Sequence, residues 1–218
     1  MRRLKSIPLS LYQKKSKKVG QSPGTLTAYG EKPAESTSIT LIDYDHKNYE
    51  KKQIETPTEL RHLKESATNS WINVDGINDT ELVAEIGKIF DLHPLVLEDI
   101  VNPRQRIKIE VYDDYIFIVL KMITYSDESE SFEKENVSLI LGKQYLISFQ
   151  EKPGDIFDTV RTRIQTERSR VRSLGCDYLA YRLMDLIVDH YYVVVEKYGE
   201  QIERLEIELN ENPDSDLL

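Results

Sequence analysis

The sequence contains one cysteine, four histidines and no run of apolar residues approaching the length of a membrane span. The single cysteine, Cys176, cannot close an intrachain disulfide, which suits a reducing compartment. Burial habit makes it a small apolar core residue. His46, His62, His93 and His190 are scattered and lack the spacing of a zinc cluster. They are expected at the surface or at helix boundaries, with His93, directly before Pro94, in a structural role. The longest apolar stretches, Ile116 to Leu120 and Tyr191 to Val195, fall far short of the roughly eighteen residues a spanning helix needs, so this stretch of chain is expected to be soluble by itself. The N-terminus has arginines and lysines with no apolar stretch behind them, which excludes a secretory signal peptide and points to the cytosol. There is no glycine-rich phosphate loop, no Gly-x-Ser-x-Gly elbow and no His-Glu-x-x-His pair, so no catalytic residue is assigned.

Positive charge is also short. Lys and Arg number 29 against 38 Asp and Glu, for a formal charge of -9. A chain that binds nucleic acid through its phosphates needs clustered basic charge, so nucleic acid is not an expected partner and cations are. The charge is asymmetric. Arg2, Arg3, Lys5, Lys14, Lys15, Lys17 and Lys18 precede Gly20, whereas Glu196 to Asp216 is dominated by carboxylates. Residues 1–22 lack a periodic apolar face and are expected to be a solvated, disordered tail.

Strand-type composition marks Thr25 to Tyr29 and Ile39 to Tyr44, and apolar alternation marks Ser70 to Asp75 before Gly76. Asn78 and Glu81 resemble a capping box ahead of a helix carrying Leu82, Val83, Ile86, Ile89 and Phe90 at helical spacing. His93-Pro94 opens a short helix over Leu95 to Val101. Two hairpins are expected: Lys108 to Tyr112 with Tyr115 to Tyr125, and Val137 to Leu141 with Tyr145 to Phe149. The nearly continuous apolar run Ile116 to Leu120 predicts a central strand covered on both faces. A helical stretch from Gly154 to about Arg170 follows, then a long helix from Cys176 to about Asn210, broken at Asn212-Pro213. The expected organisation is a tail over 1–22, an α/β domain over 23–172 and a helical extension over 173–218.

Carboxylates are the richest source of chemistry. Glu98 and Asp99 are adjacent on the short helix, so they point about 100° apart, toward different neighbours rather than into one chelate. Asp185 and Asp189, spaced i, i+4, share one face of the long helix, a mildly unfavourable arrangement unless a cation intervenes. Spacing alone fits an ion pair from Arg182 to Asp185 better than metal ligation. Were a metal bound, oxygen-only donors suit a hard cation such as Mg2+ or Ca2+.

The segment Phe90-Asp91-Leu92-His93-Pro94-Leu95-Val96-Leu97-Glu98-Asp99-Ile100 closely resembles the corresponding segment of the CorA magnesium and cobalt transporter family. Pro23-Gly24-Thr25-Leu26, Trp71-Ile72-Asn73, Tyr115 to Met122, Val137 to Leu141, Phe149-Gln150-Glu151-Lys152 and Asp177-Tyr178-Leu179 fit the same pattern in order. The resemblance implies an α/β/α sandwich around a roughly seven-stranded mixed sheet, followed by a long helical extension toward a stalk and membrane helices. It implies assembly as a homopentamer at the cell membrane, with this part on the cytoplasmic side. Mg2+, with Co2+ as a second ion, is the implied transported and regulatory cation. Glu98, Asp99 and Asp185, with Asp189 beside them, are the implied contributors to an inter-subunit metal site that favours the closed state. In the family the opposing carboxylate lies on the stalk helix, beyond Leu218, and the Gly-Met-Asn pore signature is absent here. Arg104 stands where some relatives have histidine, and a cation so near Glu98 and Asp99 is expected to weaken metal binding. A zinc-transporting relative, a stand-alone metal-sensing adaptor and a hydrolase using paired carboxylates are the rival readings; the last lacks a nucleophile or histidine beside its acids.

Overall fold

The structure, a computed structural model, describes residues 24–26, 37–126 and 131–211. The basic tail, residues 27–29 of the strand expected from Thr25 to Tyr29, and the Asn212-Pro213 break lie outside them. The strands are β1 (Ser38–Tyr44), β2 (Tyr49–Ile54), β3 (Asn69–Asp75), β4 (Lys108–Val111), β5 (Ile116–Ser126), β6 (Ser131–Leu141) and β7 (Tyr145–Gln150). They form one seven-stranded sheet in the order β2-β1-β3-β7-β6-β5-β4. β3 and β7 pair in parallel, with Ile72 opposite Ile147 and Val74 opposite Phe149. The other pairs are antiparallel, so the sheet is mixed.

Side-chain alternation divides two cores between the faces. On one face Ile72, Val74, Phe117, Val119 and Ile147 pack with α1 (Thr80–Ile89), α2 (Pro94–Ile100) and a 3-10 helix over Pro57–Glu65. On the other, Trp71, Ile118, Met122, Val137 and Leu139 pack with α3 (Asp158–Gln165), α4 (Arg170–Ser173) and α5 (Cys176–Glu211). The architecture is the α/β/α sandwich, and α5 is the long helix. Cys176 is buried in the second core. Leu179, Leu183 and Ile187 of α5 are buried, whereas Tyr192, Ile202 and Ile207 further along are mostly exposed.

A buried polar chain crosses the parallel pair. Trp71 Nε1–H donates to Ser148 Oγ at 2.9 Å, and the Ser148 hydroxyl donates to Asn73 Oδ1 at 2.5 Å. Gln150 Nε2–H donates to the same Asn73 oxygen at 2.9 Å. Each donor so placed avoids the 1–3 kcal/mol or so that an unpaired buried polar group would cost.

Several expectations change. The strand over Ile116 to Leu120 is covered on both faces but stands sixth in the sheet, and β7, every residue of which is buried, holds the centre. Asp79 rather than Asn78 caps α1, its carboxylate accepting the Leu82 N–H at 3.0 Å. The helical stretch from Gly154 is two short helices, because Arg168 adopts a φ of 63° and Ser169 caps a new start. β2 and the 3-10 helix arise where no element was expected.

Candidate metal centre

α2 carries Glu98 and Asp99, and its placement follows from the sequence around it. Pro94 occupies the first helical turn, where its missing N–H is harmless. His93 is the N-cap, its Nδ1 accepting the Leu95 N–H at 3.2 Å. Val96, Leu97 and Ile100 are buried against the sheet, which leaves Glu98 and Asp99 half-buried at the margin. α1 approaches closely because position 87 is glycine: a Cβ there would come within 2.5 Å of Leu97 Cδ1.

Each acid has a partner. Glu98 Oε2 accepts the backbone N–H of Gly24 at 3.0 Å. Gly24 has a φ of 82°, and a Cβ on it would lie 2.9 Å from Pro94 Cβ, so glycine is what lets the N-terminal segment reach α2. Asp99 Oδ2 receives the Lys108 ammonium at 2.6 Å, and the same ammonium reaches Glu110 Oε1 at 2.8 Å. Burial pulls the Lys108 pKa down, but its bonds to Asp99 and Glu110 outweigh that and the net shift is upward. The ammonium in turn holds the Glu110 carboxyl below its ordinary range. Glu110 Oε2 accepts the Tyr112 hydroxyl at 3.2 Å, Tyr112 stacks on Tyr115 at 4.7 Å, and the Tyr115 hydroxyl accepts the His93 N–H at 3.0 Å. Both ends of α2 are thereby tied to the β4–β5 hairpin.

Arg104 is exposed, with its backbone N–H on Asn102 Oδ1; the cation beside Asp99 is Lys108. Lys108 and Glu110 point to the α2 face and Ile109 to the other; that Lys108 and Glu110 share a face follows from period-2 alternation once Lys108 to Tyr112 is read as a strand.

Asp185 and Asp189 lie elsewhere. Asp185 Oδ2 accepts from Arg182 Nη1 at 2.6 Å, and Asp189, one turn on, is exposed. Both stand on α5, on the opposite face of the sheet from α2. The four acids therefore form two separate pairs in one chain. Among the described residues no group of three or more His, Cys, Asp or Glu side chains is placed to hold a metal ion. The donor chemistry, carboxylate oxygens alone, fits a hard divalent cation, and each pair needs further ligands from water or another chain.

Residues 66–218 match the family described as CorA-like Mg2+ transporter protein. The chain belongs to that family. Over 201 residues it is 42% identical to the cobalt/magnesium transport protein CorA of Thermotoga maritima, covering 92% of this chain and 57% of that one. It is 29% identical to the putative metal ion transporter YfjQ of Bacillus subtilis, covering 78% of this chain and 50% of that one. The solved soluble domain of CorA from Methanocaldococcus jannaschii has a TM-score of 0.57 at 14% identity, covering 78% of this chain and 64% of that one. That likeness shows the shared fold. This CorA-family chain thus spans about half the length of these two curated relatives, and none of its described helices is long and apolar enough to cross a membrane.

Proposed function

We propose that this chain is the cytoplasmic, divalent-cation-sensing part of a CorA-type transporter of Mg2+ and Co2+, acting in a membrane-bound homopentamer. The observation that carries the reading is the division of the candidate acids. Glu98 and Asp99 occupy one side of the sheet, Asp185 and Asp189 the other, and neither pair alone completes a coordination shell. A ring of subunits brings the α2 side of one domain toward carboxylates of its neighbour. Apposed carboxylates repel; Mg2+ between them neutralises the repulsion and favours the packed, closed arrangement, and its loss lets the subunits separate. The leverage equals the difference in Mg2+ affinity between the two arrangements.

In the full-length transporter, Asp99→Asn combined with Asp185→Asn is expected to weaken inhibition of uptake by internal Mg2+. Unchanged inhibition would remove these residues from the sensor.

A further inference from the structure

We infer that Lys108 is a tethered competitor of the divalent cation at Asp99, with Glu110 as the position to which its ammonium withdraws when the metal binds. The inference rests on Asp99 being a metal ligand. Lys108 Nζ lies 2.6 Å from Asp99 Oδ2 and 2.8 Å from Glu110 Oε1, so it already touches both its present partner and its alternative. The side chain is 23% exposed, restrained by the strand and by the Phe117 ring, whose centroid is 5.2 Å from the ammonium. Glu110 is itself held by the Tyr112 hydroxyl, which fixes the acceptor that receives the ammonium.

A divalent cation approaching Asp99 meets a positive charge already in hydrogen-bond contact with the oxygen it needs. Like charges at that separation repel strongly in a partly desolvated site. Metal binding is therefore an exchange of cations: the ammonium leaves Asp99 Oδ2 and keeps its bond to Glu110, a rotamer change that needs no movement of β4. The exchange raises the Mg2+ concentration at which the site fills. Lys108 is a positioning residue, acting on the metal through Asp99.

Calorimetric titration of the full-length transporter with Mg2+ tests this on the wild type, Lys108→Met, Lys108→Arg, Glu110→Gln and Asp99→Asn. Removing the ammonium should lower the half-saturating Mg2+ concentration on the order of fivefold, the scale of one partly exposed ion pair. Lys108→Arg should restore the wild-type value. Glu110→Gln should raise it, because the ammonium then rests on Asp99 alone. Merely structural damage would weaken binding, so a gain in affinity is the readout it cannot imitate. If the methionine variant does not fold, Lys108→Gln, which keeps a donor without the charge, carries the same expectation. Unchanged or weaker binding in the charge-removed variant, with binding still lost in Asp99→Asn, overturns the role of Lys108 and leaves the metal reading standing. Binding that is absent or indifferent to Asp99→Asn overturns the metal reading, and this inference with it.

Discussion

Glu135, midway along β6, and Glu151, directly after β7, clasp one another: Glu135 Oε2 accepts the Glu151 backbone N–H at 3.1 Å, while Glu151 Oε1 accepts the Asn136 backbone N–H at 2.8 Å. Glu135 is 6% exposed. Burial, its largest influence, pushes the carboxyl from its ordinary 4.5 up to about 7, against the lowering effect of the backbone bonds.

A raised carboxyl pKa means that the folded chain holds its proton more tightly than the unfolded chain. The resulting stability is fully present below about pH 4.5 and is lost as pH rises to about 7. Glu135→Gln keeps an acceptor for the Glu151 N–H and removes the ionisation. Relative to this variant, the wild type should lose about 3 kcal/mol between those pH values, at about 1.4 kcal/mol for each pH unit that separates them. Urea denaturation of both proteins at pH 4.5, 6 and 8 checks it; parallel curves would show that Glu135 is not ionising in a buried site.

The close approach of α1 to α2 gives a coupled pair. Gly87→Ala should destabilise by about 1–2 kcal/mol, since its Cβ meets both Leu97 methyls, at 2.5 and 2.7 Å. Leu97→Ala should cost about 2–4 kcal/mol by leaving a cavity. In the Leu97→Ala background the added methyl fills vacated space and alanine favours helix, so Gly87→Ala should become neutral or stabilising. Additive effects in denaturant titrations of the four proteins would contradict the packing described.

Much of this arrangement was legible in the sequence, for reasons that particular residues make plain. Leu82, Val83, Ile86 and Ile89 at helical spacing mark α1, and His93-Pro94 marks the start of α2, because cap chemistry and periodicity act locally. β2 escaped notice because its sequence, Tyr-Glu-Lys-Lys-Gln-Ile, is mostly polar, as an edge strand permits. The position of β5 near the edge was hidden because an apolar run reports cover on both faces and says nothing of strand order. Glu98 and Asp99 stood out as adjacent acids on a short helix. The cation that answers Asp99 comes from nine residues on, across a loop, and sequence proximity suggested Arg104 instead of Lys108. Only the register of β4 on β5, with Lys108 opposite Val119, fixes which side chains face α2.

The far half of α5 should be held by a few aromatic contacts. Phe132 stacks on Tyr198 with centroids 4.0 Å apart, and Tyr125 packs on Phe132 at 4.9 Å. The Tyr191 hydroxyl donates to the Lys121 carbonyl. Phe132→Ala should speed amide hydrogen exchange from Tyr198 to Glu211 by an amount equal to about 1–2 kcal/mol of local stability, with β3 and β7 amides unaffected. Unchanged exchange along the helix would mean that its own hydrogen bonds suffice.

Thermal unfolding of the full-length protein across a Mg2+ series, beside an Asp99→Asn, Asp185→Asn double variant, addresses the proposed sensing role most directly. A ligand that binds the folded state at about ten times its Kd adds about 1.4 kcal/mol. The expected result is a saturable rise in Tm for the wild type that the double variant lacks; no rise in the wild type, or an equal rise in both, would contradict Mg2+ binding at these carboxylates.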